Sequence, residues 1–136
     1  MHCSIDHIVL NMEDEEKMIA FYTAVLMLKP DRLEAYRAAE VPFPSVRLNS
    51  ETIIDLFPKK LWQSHGAAGP KRDNLNHLCI AMSQQRWTEL LERLKSNDVE
   101  IEEGPALRWG ARGFGTSIYF RDPDGNYIEA RYYQEP

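Results

Sequence analysis

Two apolar stretches of the chain each carry a histidine, and two later stretches each carry a carboxylate, in the same order twice. His7 lies in SIDHIVL and Asp55 in TIIDLF; His77 lies in NHLCIA and Glu129 in NYIEA. The first pair is 48 residues apart and the second 52. Two imidazoles and two carboxylates suit a divalent first-row metal, with Zn, Ni, Fe, Mn and Co all compatible. In a five- or six-coordinate ion, four protein ligands leave room for water or substrate. Such an ion acts as a Lewis acid on a substrate oxygen. A single strand histidine is more often simply hydrogen-bonded, and a lone carboxylate more often ion-paired, here for instance to Arg47 or Arg131. The repeated order and similar spacing favour the joint metal reading.

The elements around these residues repeat as well. Residues 4–11 read as a strand. Asp14 caps a helix whose first turn is acidic, which suits the positive end of the helix dipole. Met18, Phe21, Tyr22 and Val25 recur on one face of it, and Pro30 stops it. Leu33–Arg37 reads as a strand, with a loop around Pro42 and Pro44. Ser45–Asn49 and Thr52–Phe57 are strands joined by a turn at 49–51. Residues 58–73, with two prolines, two glycines and Trp62, form a surface linker.

The second half starts again with a strand at 75–82. Ser83 caps a helix with Trp87, Leu90, Leu91 and Leu94 at i, i+3, i+4 and i+7. Val99–Glu102 alternates like a strand, and Gly104–Gly115 is a loop with four glycines. Thr116–Phe120 is a strand, Asp122–Gly125 a turn, and Asn126–Tyr132 the last strand. Each half therefore reads strand, helix, then about three strands, over 4–58 and 75–133 of a single domain, 1–136.

Alternation along a strand assigns faces by parity. Ile8, Leu10, Val46, Leu48, Ile54 and Leu56 share the helix-covered face of the first half. Leu78, Ile80, Ile118, Phe120, Ile128 and Ala130 share that of the second. The opposite face carries His7, Asp55, His77 and Glu129, with Arg47, Asn49, Ser117, Tyr119 and Tyr127 nearby. That face is too polar for a packed core and has the character of a cavity wall.

Composition narrows the class. The chain is 43% hydrophobic and 27% charged, with net charge −5 and no basic stripe, which argues against a nucleic-acid partner. No apolar run approaches the roughly 20 residues of a membrane helix, and no signal peptide is visible. The two cysteines, Cys3 and Cys79, make no disulfide framework. They read as small buried residues and fit a cytoplasmic location.

IDHIVL at the start, Ala20-Phe21-Tyr22 in the first helix and FRDPDGNYIE near the end resemble the vicinal-oxygen-chelate superfamily of glyoxalases, bleomycin resistance proteins and ring-cleaving dioxygenases. NHLCI is a looser match. IEEGP, with the glycine-rich loop and SIYF, resembles a glyoxalase-domain subgroup. The resemblance implies an α+β fold of two βαβββ modules forming an open, eight-stranded, funnel-like barrel with helices outside. It implies His7, His77 and Glu129 as metal ligands, and a homodimer that binds a small-molecule substrate. Asp55 falls where glyoxalase I lyases place a fourth ligand, usually Glu; here it is one methylene shorter.

The activity so implied is that of a metal-dependent lyase or isomerase acting on vicinal oxygens through a stabilised enediolate or oxyanion. Glu129 or Asp55 would move the proton. Arg47, Tyr119, Arg108, Trp109 and Arg112 would hold an anionic or aromatic part of the substrate, although the 104–115 loop reads equally well as a solvated turn. A ring-cleaving dioxygenase with Fe(II) on two histidines and a carboxylate is the alternative, and Asp55 counts against it. An antibiotic thiol transferase is a third enzyme reading. A bleomycin-resistance-like binding protein is the non-enzyme reading, and the retained ligand set counts against that.

Overall fold

A computed structural model describes residues 5–63 and 75–134 of the chain, which divides into two units, Met1–Lys71 and Arg72–Pro136. The first unit runs β1 (His7–Asn11), α1 (Glu15–Ala20) with a π-helical extension Phe21–Val25, β2 (Lys29–Asp31), α2 (Leu33–Arg37), β3 (Ser45–Arg47), β4 (Ile53–Phe57) and α3 (Lys59–Trp62). The second runs β5 (Leu78–Ala81), α4 (Gln84–Ser96), β6 (Glu103–Gly110), β7 (Gly113–Arg121) and β8 (Tyr127–Tyr132). Their four-stranded sheets are ordered β1-β4-β3-β2 and β5-β8-β7-β6. In each, the first strand lies parallel to the last and the other pairings are antiparallel. The expected βαβββ path is thus present twice, in an α+β fold with mixed sheets.

Local chemistry starts both main helices where the sequence places them. Asp14 accepts the main-chain N–H of Lys17, and Ser83 accepts that of Arg86. Met18, Phe21, Tyr22 and Val25 are all buried, as are Trp87, Leu90 and Leu94. The Trp87 indole also donates to the Ala130 carbonyl at 2.9 Å, pinning α4 to β8. Register bears out the parity reading. Ile8 and Leu10 sit opposite Ile54 and Leu56, and Val46 opposite Ile54. Ile118 and Phe120 sit opposite Ala130 and Ile128, and Leu78 and Ile80 pair with the same two residues of β8.

Four expectations need correction. Leu33–Arg37 is a helix, not a strand. Leu, Glu, Ala and Arg favour that state, and the turn brings the Tyr36 hydroxyl onto the Glu15 carboxylate, to which it donates. The strand of this region is Lys29–Asp31 instead. Pro30 is tolerated because β2 is an edge strand.

Gly104–Gly115 is not a loop. It belongs to a hairpin, β6 and β7, closed by a two-residue turn at Ala111 and Arg112. The ladder is made by main-chain groups, which glycine supplies as well as any residue, and Gly113 takes the positive φ of 95° that the turn exit needs. Val99–Glu102 lies outside the strands, holding to β7 through the Glu102 amide and the Tyr119 carbonyl. Cys79 is exposed rather than buried. Cys3 and residues 64–73 of the expected linker lie outside the described residues. Trp62 does anchor the start of that segment, its indole donating to the Met12 carbonyl. Among the described residues, no helix is long and apolar enough to cross a membrane.

Candidate metal centre

Each histidine is oriented by the residue before it. Asp6 Oδ2 lies 2.8 Å from His7 Nδ1, and Asn76 Oδ1 lies 2.6 Å from His77 Nδ1. An acceptor at Nδ1 favours the proton there and the Nε2 lone pair outward. Metal-ligating histidines take this arrangement. His7 is raised above its ordinary pKa, first by the hydrogen bond to Asp6, with Asp55 adding.

Each carboxylate is held by a serine from the neighbouring strand. Ser45 Oγ on β3 donates to Asp55 Oδ1 on β4 at 2.7 Å, and Ser117 Oγ on β7 donates to Glu129 Oε2 on β8 at 2.6 Å. Both carboxylates are buried, and Asp55 shares its face with His7 through the β1–β4 register. Ser117 was visible by parity. Ser45, its counterpart, was missed, although it stands at the same strand of the repeat. Asp6 and Asn76 were equally available, since each directly precedes its histidine.

The second unit brings its pair into contact. His77 Nε2 lies 3.0 Å from Glu129 Oε1. With the proton on Nε2 this is an ordinary hydrogen bond to the carboxylate; with it on Nδ1, two acceptors face each other and a cation would fit between them. Two donors each about 2.1 Å from one ion, at right angles, lie about 3.0 Å apart. The pair therefore fits a metal. Tyr119 and Tyr127 stack on each other, ring centroids 5.4 Å apart, and His77 meets both edge-on. Among the described residues, no group of three or more His, Cys, Asp and Glu side chains stands close enough to hold an ion.

Arg131 completes this half. Its guanidinium donates to Glu129 Oε2, and both side chains are almost fully buried. The ion pair weighed against the metal reading therefore exists, but it engages Oε2 and leaves Oε1 toward His77. Burial alone would raise the Glu129 carboxyl. The Ser117 hydroxyl and Arg131, with Tyr119, outweigh it and hold the group below the usual carboxylate range. Cys79 is the cross-strand neighbour of Glu129; although the residue is exposed, partial desolvation of its sulfur against the sheet, together with that carboxylate, pushes the thiol up to about 11.

A pH dependence follows from the Glu129 shift. A carboxyl with a depressed folded pKa stabilises the fold above its ordinary value of 4.5 and loses that contribution as pH falls through the folded value. In urea titrations of metal-free protein between pH 7 and pH 3, wild type is expected to lose stability below that ordinary value more steeply than Glu129→Gln. Equal slopes would refute the assignment.

The expected substrate residues separate. Arg108 lies on the face of Ser117 and Tyr119, its guanidinium 5.9 Å from the Tyr119 ring and 3.4 Å from Glu103. Trp109 points to the opposite face of the hairpin, 72% exposed, and packs edge-on against Phe114. Arg112 sits in the turn over the Tyr133 ring. Arg47 shares the Asp55 face but is paired with Asp31, Nε to Oδ2, at 2.8 Å.

Comparison with known proteins agrees with this architecture. The profile of the Glyoxalase/Bleomycin resistance protein/Dioxygenase superfamily matches residues 4–130, and the chain belongs to that superfamily. It is 32% identical over 130 residues to virulence protein STM3117 of Salmonella typhimurium, covering 95% of this chain and 83% of that protein. The crystal structure of that protein superposes with a TM-score of 0.76, over 98% of this chain and 99% of that one, at 27% identity. The glyoxalase domain-containing protein RDO1 of Mycosarcoma maydis is 30% identical over 132 residues, 97% of this chain and 69% of that protein. A lactoylglutathione lyase from Agrobacterium tumefaciens shares the fold, with a TM-score of 0.66 at 20% identity over 97% of this chain and 95% of that one.

Proposed function

We propose that this protein is a metal-dependent, glyoxalase-like lyase or isomerase acting on a small molecule with neighbouring oxygens. His7 and Asp55 in the first unit, and His77 and Glu129 in the second, are the proposed ligands of a divalent ion, Zn, Ni, Fe, Mn or Co. The observation that carries the reading is the 3.0 Å approach of His77 Nε2 to Glu129 Oε1, with each histidine oriented through Nδ1 by the residue before it. When bound, the ion would supply Lewis-acid stabilisation of negative charge on substrate oxygen.

The protein's own groups do the rest. Asp55 and Glu129 are the two carboxylates able to take a proton from a substrate carbon beside a carbonyl. The Ser117 hydroxyl and the Arg131 guanidinium lower the basicity of Glu129, and Glu129 or Asp55 would make the transfer. Tyr119 and Arg108, on the face of Glu129, would hold an anionic or aromatic part of the substrate, whereas Trp109 faces the other side of the hairpin, Arg112 lies over Tyr133 and Arg47 is paired with Asp31. The reading includes a cytoplasmic homodimer, dimers being common in the superfamily.

Metal analysis of protein purified without chelator is the test. Near-stoichiometric metal is expected in wild type, and clear loss of it in His77→Ala. No metal in wild type, or unchanged metal in the variant, would overturn the reading. Iron with oxygen uptake on catechols would replace the lyase by the dioxygenase.

A further inference from the structure

Arg131 does more than neutralise Glu129. Its Nη2 donates to Glu129 Oε2 and, at 3.0 Å, to the Trp109 carbonyl. Its Nη1 donates to the Arg108 carbonyl at 3.2 Å and to the Tyr133 hydroxyl at 3.3 Å. The residue is 3% exposed. The hairpin leaves space for it: a Cβ on Gly110 would stand 1.9 Å from Nη1. Four acceptors thus converge on one buried guanidinium, two of them the main chain of β6 beside the candidate substrate residues. A planar fork of fixed donors can span such a set, and a lysine cannot.

We infer that Arg131 is a positioning residue that couples the β6–β7 hairpin to the Glu129 carboxylate, presenting Oε1 alone to His77. Displacing the hairpin at Arg108 and Trp109 pulls on the guanidinium and shifts the carboxylate. Conversely, altering the carboxylate releases the hairpin. The inference deepens the metal reading, because the oxygen it leaves free is the one facing His77. The coupling itself can be tested without metal.

Hydrogen exchange of the metal-free protein is the first arm. Glu129→Gln is expected to raise exchange severalfold in peptides covering 103–117 while α4 keeps its protection. Unchanged exchange in the hairpin would overturn the coupling. The second arm is Co(II) binding, read by affinity and by the visible absorption spectrum.

Gly110→Ala pushes on the guanidinium without changing it, and Arg131→Lys keeps the charge but not the fork. Each is expected to bind Co(II) about 10–100-fold more weakly than wild type, with an altered spectrum. A merely structural role would lower the melting temperature and leave affinity and spectrum unchanged in folded protein, and that result would overturn the inference. Wild type that binds no Co(II) would overturn the metal reading instead, and the exchange arm alone would then decide the coupling.

Discussion

Glu129→Ala is expected to lower the unfolding free energy by about 3–5 kcal/mol and to abolish metal retention. The size of the effect comes from the residue left behind. The Arg131 side chain is 4% exposed, so without the carboxylate its charge stays buried and uncompensated. Ser117 Oγ loses its acceptor in the same change. Glu129→Gln keeps the shape and one acceptor oxygen, so its loss should be smaller. Urea denaturation followed by both fluorescence and circular dichroism measures the difference. A loss below about 1 kcal/mol for Glu129→Ala would put the pair among ordinary surface ion pairs and contradict its burial.

Gly104→Ala carries the second large effect. Gly104 has φ of +94°, and a Cβ there would stand 2.3 Å from the Ser117 carbonyl oxygen and 3.1 Å from Ile118 Cα. The positive φ costs an L-residue roughly 1–2 kcal/mol. The collision adds about 1–3 kcal/mol, because main chain rather than a flexible side chain must yield. The displaced residue is also the one whose hydroxyl holds Glu129, so metal affinity should fall with stability. Gly125→Ala is the control: its φ is +88°, but nothing lies within 4 Å of its Cβ. Thermal melts should show Gly104→Ala clearly worse than Gly125→Ala; equal melts would mean that the collision is relieved.

The legible part of this protein was local. Asp14 and Ser83 identified their helix starts because a cap needs only a side-chain oxygen and the amides of the next turn. Met18, Phe21, Tyr22 and Val25 showed their shared face by spacing alone. Two of the three corrected elements failed for related reasons. Leu33–Arg37 is too short for periodicity to separate helix from strand. In the hairpin from Glu103 to Arg121, four glycines resemble a loop until a partner strand satisfies their main-chain groups. Edge strand β2 was hidden by Pro30, whose missing N–H matters only if the strand is central.

What the sequence by itself determined is the repeat and its two faces: the order of histidine and carboxylate in each half, and that Ile, Leu and Val cover the other side; the structure sets His77 just ahead of β5 rather than within it. Alternation is a property of any extended chain, so one strand's parity can be read without knowing its neighbours. Tertiary structure decided the chemical state of those residues. It paired Arg131 with Glu129 rather than leaving the carboxylate bare, took Arg47 to Asp31, set Ser45 and Ser117 on the two carboxylates, and turned Trp109 away from Tyr119. Each outcome depends on distance and direction between groups on different strands, and the register that sets those is a property of the folded sheet.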